Sequence, residues 1–410
     1  MPPKILRLVL LISAAHALVH LYELSLPSVE HRIAAEYYPE ESEANIAKGK
    51  KMSGLLSMTW RLPWGIGALL AGLLVDRFGA KRLLLVYLIG VSTICALVRF
   101  TQPMSMLFVT MFCMGLLASI YHPAGLSWIS HRTNSQQRPF ALGIHGILGS
   151  LGIASGPFLV ASMIHFGFSW RDCYSLLAIP GLALAVVLVS YRENKATEKT
   201  SAPARKDVDA EKSPVIDDDE ESDWSAFFVL TTVALAQGIV YAGVLSFLPR
   251  YMAGWSAGVD ATTNAGLLTT GVLVLGCIGQ YTAGYFARAE KLERQLFWVS
   301  LANAPLLVCM ALADGPMRPI AAGAFSIVHF MHQPIYNSLI AKYSTSSRRS
   351  LAYGFSIAIG LGLGSIGATL VGYARTQHVA FLSLAGVAIL SATLAQILIR
   401  THYRNRPYHV

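Results

Sequence analysis

Charge is what this chain has least of: 13% of its 410 residues are Asp, Glu, Lys or Arg, against roughly a quarter in soluble domains. So few charges exclude an ordinary water-exposed surface over most of its length. Cysteine is sparse too. Cys95, Cys113, Cys173, Cys277 and Cys309 show no C-x-x-C spacing, so neither a metal site nor a disulfide framework is expected. There is no G-x-x-x-x-G-K-[ST] phosphate loop, which argues against ATP as an energy source. No nucleophile, base and orienting group stand at a recognisable spacing, so an enzyme is the least favoured class, and no cofactor is expected. The net charge of +9 is not gathered into a soluble basic patch, which argues against nucleic acid as a partner.

Apolar residues fill the space that charge leaves. They make up 54% of the chain, and the mean hydropathy is +0.50. Stretches near the length of about 20 residues that a membrane-spanning helix needs lie at 5–27, 53–75, 83–100, 104–131, 139–166, 172–191, 225–250, 264–287, 295–313, 318–341, 350–374 and 379–400. The expected fold is all-α and integral to a membrane, with twelve transmembrane helices in two six-helix pseudo-symmetric halves. The chain also repeats itself: residues 54–72 realign without gaps on 266–284, and 123–156 on 334–367. Gly54, Gly67 and Gly72 meet Gly266, Gly279 and Gly284; Pro123 meets Pro334; Gly149 and Gly156 meet Gly360 and Gly367. Parallel repeats of six spans are a transporter architecture. The expected units are 1–191, a cytoplasmic disordered linker at 192–224 rich in Lys, Glu, Ser, Pro and Asp, and 225–410.

Lys and Arg fix the expected orientation. With the N-terminus inside, the inner connections collect residues such as Arg77, Lys81, Arg82, Arg132, Arg138, Arg288, Arg348 and Arg349, and the outer ones far fewer. Both termini are expected in the cytoplasm and the chain in the plasma (cell inner) membrane. Residues 4–17 have some features of a secretory signal, but Leu26-Pro27 matches Leu248-Pro249 in the second half, so the first span is read as a retained helix. Ser28 to Met52 is expected to be a long outer loop, solvating Glu36, Glu40, Glu41 and Glu43.

After the second span the chain reads Gly72-Leu73-Leu74-Val75-Asp76-Arg77-Phe78-Gly79-Ala80-Lys81-Arg82. This resembles the loop signature of the major facilitator superfamily, G-x-L-x-D-R-x-G-x-K/R between spans two and three, and the resemblance covers the whole chain. It implies a conformational gate made by Gly72, Asp76, Arg77, Gly79, Lys81 and Arg82. Gly72 is expected to let helices approach closely, Gly79 to permit a tight turn, and Asp76 to meet the start of span eleven in an outward-facing state. Span five carries Gly149, Gly152, Gly156 and Pro157, resembling the G-x-x-x-G-P core of an antiporter motif, although small residues at this spacing also serve helix packing alone. A narrower likeness, to fosmidomycin-resistance exporters, rests on His16, His20, Glu23 and Pro27 and on Tyr121-His122-Pro123-Ala124-Gly125. Ala124 stands where that family has an acid.

The few ionisable residues within spans carry the site hypothesis, since burying them in lipid costs several kcal/mol unless they face a cavity or a partner. His16, His20 and Glu23 stand at i, i+4 and i+7, on one helical face. Glu23, four residues before Pro27, is expected near the outer end of span one, at a depth where Arg61 of span two can meet it. Arg61 is read as a substrate-anion ligand or as a counter-ion released by protonation; a permanent buried ion pair is the plainer alternative. His122 and His145 join Glu23, Arg61, His20 and His16 as candidates for substrate binding and proton coupling, because imidazole titrates near neutrality. His329, His332, Gln237, Gln333 and Asn337 are weaker candidates. Tyr22, Trp60, Trp64, Tyr121, Tyr241 and Tyr336 are available to line an apolar pocket, which suits an amphiphilic organic compound better than a sugar.

These features point to a secondary transporter exporting a small organic compound in exchange for protons. The expected partners are that substrate, protons and the lipid bilayer, and the expected state is a monomer. Proton-coupled uptake of an organic anion and a non-transporting receptor or assembly factor on the same fold are the alternatives.

Overall fold

The computed structural model describes residues 1–39, 42–133, 137–191, 222–254, 261–345 and 348–405. Six spans come from the first half of the chain: α1 (Pro3–Tyr37), α2 (Glu43–Phe78), α3 (Ala80–Leu97), the broken pair α4 (Met104–Ala118) and α5 (Tyr121–Arg132), α6 (Arg138–His165) and α7 (Trp170–Ser190). The second half supplies α8 (Trp224–Ala253), α9 (Ala261–Phe286), α10 (Leu292–Leu312), the broken pair α11 (Met317–Phe330) and α12 (His332–Tyr343), span eleven made of α13 (Arg349–Ile357) and α14 (Ile366–Tyr373), and α15 (Gln377–Asn405). Eleven helical segments among the described residues are long and apolar enough to cross a membrane. The tenth expected span is the α11–α12 pair. Of the linker, residues 192–221 lie outside the described residues, as do Glu40 and Glu41.

Local chemistry sets the ends and breaks. The Ser42 side chain accepts the Asn45 N–H to start α2, and Gly79 ends it at φ 85°, a left-handed value that favours glycine. Ser169 and Asp172 form a capping box on α7, and Asp223 caps α8 by accepting the Ala226 N–H. The two interrupted spans have one cause, preserved in the repeat. Pro123 and Pro334 each lack an N–H and press on the carbonyl four residues back, and the breaks fall there, just after Ala118 and at Met331.

The expected outer loop is a correction. Helix α1 continues ten residues past Pro27 to Tyr37, and α2 begins at Glu43, so most of 28–52 is helical. The apolar stretch ends near Pro27, but the helix does not: Val29 and Ile33 stay in the core, and Glu30 is buried against Arg250 of α8. For the same reason Glu23 lies well inside α1 rather than near its end.

One apolar cluster draws on α1 to α7, from Leu8 to Leu188. Two others draw mainly on α8 to α15. Between the halves, small and polar contacts are interspersed with apolar ones, Leu24 and Ile153 of the first half packing into a second-half cluster. Span eleven passes from a π turn (Ala358–Gly362) to a 3₁₀ turn (Leu363–Ser365) before α14, and there a Cβ on Gly65 would overlap the backbone of Gly362, as one on Gly238 would overlap that of Gly360. Glycine is needed at both crossings.

The hydrogen bonds and ion pairs between halves cluster from mid-depth to the end opposite the chain termini. Glu30 accepts two bonds from Arg250, at 2.6 and 2.8 Å. Lys50 Nζ donates to the Ala374 carbonyl at 3.0 Å, and the hydroxyls of Ser57 and Ser246 lie 2.6 Å apart. Toward the terminal end, a Cβ on Gly72, Gly143 or Gly146 would meet nothing within 4 Å. The described polar ties between halves thus seal one end and thin out toward the other.

Glu30→Gln is expected to loosen the sealed end, because it leaves the Arg250 guanidinium without its counter-charge. In protein with the five native cysteines replaced, maleimide labelling of a cysteine placed at Ser57 should rise several-fold. The exchanged pair Glu30→Arg with Arg250→Glu should restore protection.

Candidate functional site

The expected residues converge at mid-depth. Glu23 of α1, with its side chain wholly buried, is ion-paired through Oε1 with Arg61 of α2, whose side chain is 2% exposed. Its Oε2 lies 2.8 Å from His20 Nδ1. A third partner comes from the other half: the Tyr241 hydroxyl of α8 donates to Glu23 Oε1 at 3.1 Å. The Arg61 guanidinium also stands 5.3 Å from the centre of the Tyr241 ring, within cation–π range. The carboxylate is thus fully engaged. The guanidinium is not, since Arg61 Nη2 is buried without a hydrogen-bond partner, as is the indole Nε1 of neighbouring Trp60.

An imidazole cluster extends this pair toward the terminal end. His20 Nε2 lies 3.2 Å from His16 Nε2, and His16 Nδ1 lies 2.8 Å from the His145 carbonyl of α6. The His16 and His145 rings are 3.9 Å apart at their centroids, and His122 of α5 stands edge-on to His16 at 5.2 Å. Tyr121 closes the group, donating to the Ile12 carbonyl at 2.8 Å and approaching His145 Nε2 at 3.2 Å. The structure therefore brings His16, His20, Glu23, Arg61, His122 and His145 together.

The span-five glycines make this approach possible. A Cβ on Gly149 would strike the His16 ring, one on Gly152 the Ala17 backbone, and one on Gly156 the Leu24 side chain. Pro157 sits where α6 meets the other half, its carbonyl facing Gly266 of α9. The packing role of this motif is what the geometry displays.

Elsewhere the expectations need correction. Gly72 mediates no close helix contact: a Cβ there would meet nothing within 4 Å. Asp76 is exposed there, away from any described hydrogen-bond or ion-pair partner. Arg77 lies over the Phe78 ring at 5.4 Å, Arg82 is exposed, and Lys81 donates to the Tyr191 carbonyl at 2.6 Å, tying α3 to the end of α7. No metal site was expected, yet the imidazole nitrogens of His16, His20 and His122 lie within 4.8 Å of one another. The spacing of His16 and His20 was visible in the sequence; the third nitrogen comes from a distant helix.

The sequence reading placed Tyr241 only among lining aromatics and did not find Glu30–Arg250. It also put the polar chemistry in the first half. From the second half, Gln280 bonds both Ser150 of α6 and Gln333, and His329 stacks on Tyr241 at 6.1 Å. Asn337 offers its carbonyl to Tyr353, and Gln237 donates to Ser391; both tie helices together.

Comparison with known proteins agrees with this architecture. The model of the Major Facilitator Superfamily matches residues 46–364. The uncharacterized MFS-type transporter YqjV of Bacillus subtilis (strain 168) is 24% identical over 329 residues, 78% of each chain. Among solved structures, a bacterial homolog of the human lysosomal transporter Spinster, inward-facing and unoccupied, aligns over 99% of both chains with a TM-score of 0.75 at 14% identity. The inward-open xylose transporter XylE from E. coli covers 96% of both chains, with a TM-score of 0.75 at 12% identity. The human organic anion transporter MFSD10 aligns over 97% of this chain and 100% of its own, with a TM-score of 0.69 at 15% identity.

Because Glu23 and Arg61 are both buried, deleting either should destabilise more than deleting both. Glu23→Gln or Arg61→Met alone is expected to cost about 3–5 kcal/mol by stranding a charge. The double variant should recover at least half of that in a thermal-unfolding cycle on detergent-purified protein.

Proposed function

This chain belongs to the Major Facilitator Superfamily, and from that membership and the geometry around Arg61 we propose that it exports a small organic anion or amphiphile by alternating access, in exchange for protons. The observation that carries the reading is the unpartnered Nη2 of Arg61, held at mid-depth beside Trp60. An Arg fork presents parallel donors suited to carboxylate or phosphate. Here one arm is committed to Glu23 and the other is available. A substrate anion arriving on the free arm competes with Glu23 for the same guanidinium, and Glu23 also holds Tyr241 of the opposite half. Binding is thereby linked to the contact on which the halves rock. Aromatic neighbours such as Trp64 favour an amphiphile over a polyhydroxylated sugar.

The sequence has no phosphate loop, which supports an ion gradient as the drive, and the proton is the ion we propose. The coupling ion acts on the cluster around Glu23. Outward direction is supported by the span-five glycines and by the resemblance of spans one and four to fosmidomycin-resistance exporters. The proposed setting is the plasma (cell inner) membrane, as a monomer, with both termini cytoplasmic and the segment 192–224 joining units 1–191 and 225–410. In that orientation the sealed end faces outward, and the present conformation is inward-facing. Asp76 then has its role in the other state, approaching the start of α13 when the inner ends close.

Inverted vesicles with an acidic lumen are expected to accumulate the substrate, identified by screening organic anions, and Arg61→Ala should abolish that accumulation. Accumulation in right-side-out vesicles under an inward proton gradient would refute export, and undiminished transport by Arg61→Ala would refute the anion site. For Asp76→Asn, transport is expected to fall at least tenfold while binding to purified protein is unchanged.

A further inference from the structure

The His16–His20 contact poses a question of proton count. His16 Nδ1 faces a backbone carbonyl, which can only accept, so it carries a hydrogen. His20 Nδ1 faces Glu23 Oε2 at 2.8 Å, and toward an ionised carboxylate it must also donate. With both Nδ1 atoms protonated, the two neutral rings turn their Nε2 lone pairs toward each other across 3.2 Å. Two lone pairs at that distance repel unless a cation stands between them.

A shared proton would need only these two nitrogens, whereas the structure supplies a third. A nitrogen of His122 lies within 4.8 Å of both, and this half-buried ring has no hydrogen bond among the described residues. We propose that His16, His20 and His122 form a binding site for a divalent transition-metal ion of the zinc class.

Three points of geometry and chemistry support it. Metal–imidazole bonds of about 2.0–2.1 Å at a tetrahedral angle place neighbouring nitrogens roughly 3.3–3.4 Å apart, and His16 and His20 already stand at 3.2 Å. Their i, i+4 spacing on α1 gives a rigid chelate, and His122 completes a three-imidazole set with a rotation about its side-chain bonds. Ligating histidines characteristically give their second N–H to a carboxylate or a backbone carbonyl, which fixes the tautomer and raises basicity. Glu23 supplies the first and the His145 carbonyl the second. The fourth position is left for water or an anion, as in an open three-ligand site.

The surroundings suit an ion of this charge. Glu23 and Arg61 cancel as a pair, while Tyr121 and His145 from α5 and α6 and Tyr241 from α8 face the cluster without adding a fixed charge. Three neutral nitrogen donors with no thiolate favour zinc- or cobalt-type ions over magnesium or calcium, which demand oxygen. The bound ion would tie α1 to α5, the first span to the fourth, in the half that also carries Arg61. The inference does not depend on which substrate is transported or in which direction.

The test uses Co²⁺ on chelator-treated purified protein, with ligand-field absorption as the readout. A stoichiometric tetrahedral-type spectrum, displaced by Zn²⁺, is expected from the native chain. His122→Asn should weaken binding at least tenfold, and His16→Gln should do the same, while His329→Gln in the other half should leave it unchanged. If His16→Gln does not elute as a folded protein, His122→Asn alone decides, since that ring makes no hydrogen bond among the described residues. An aquo-type spectrum with native protein, or full Co²⁺ binding by His122→Asn, overturns the site and leaves a shared proton as the cation between His16 and His20.

Discussion

An ionised side chain inside a bilayer has to be matched on the spot, because lipid offers it nothing. In this molecule that requirement falls on Glu23, and the arrangement of four helices follows from how it is met. Oε1 takes Arg61 from α2 and Tyr241 from α8; Oε2 takes His20 from the next turn of α1. Helix α6 must then come close enough to seat the His16 ring, which is why Gly149, Gly152 and Gly156 line its contact with α1. A glycine pattern and a buried charge, separate features in the sequence, are two sides of one packing solution.

The interface between halves is built differently from the cores. Within each half, interlocking apolar side chains give close packing, which resists continuous deformation. Between halves, serine hydroxyls, crossing glycines and a few polar pairs stand beside a smaller set of apolar contacts made by Leu24, Ile153 and Ala154.

What the sequence made legible was whatever depends on periodicity and repetition. The twelve apolar stretches, the pairing of Pro123 with Pro334 in the repeat, and the shared face of His16, His20 and Glu23 all follow from spacing along the chain. The meeting of Glu23 with Arg61 followed from comparing depths in adjacent spans. Partners contributed by distant spans were not legible: neither Tyr241 nor the His145 carbonyl has a local pattern that assigns it to Glu23 or His16. Glu30 was misplaced for another reason. Hydropathy marks where lipid-like composition ends, whereas α1 continues because its neighbours still bury it. Gly72 was read for close packing from its residue type alone, whereas a Cβ there would meet nothing within 4 Å.

The broken symmetry of the repeat has an energetic consequence. In the realignment Glu23 stands opposite Leu245 and Arg61 opposite Leu273, so both members of the mid-depth ion pair belong to one half. Among the described residues the other half contributes Tyr241, its hydroxyl to Glu23 and its ring to Arg61. When the halves part at that depth, Glu23 gives up one hydrogen bond from a neutral donor, worth about 1.5–3 kcal/mol, and keeps its counter-ion. Had the pair been divided between the halves, each opening would strand two charges, at about 3–5 kcal/mol or more. Among the described residues, the fully charged pair that is divided, Glu30 with Arg250, lies toward the sealed end, where the Arg250 side chain is 22% exposed. Water can take over both partners there as the seal opens. Charge is therefore shared between the halves where solvent can replace it and confined to one half where solvent cannot, which lets a chain with so few charges keep its ion pairs and still move.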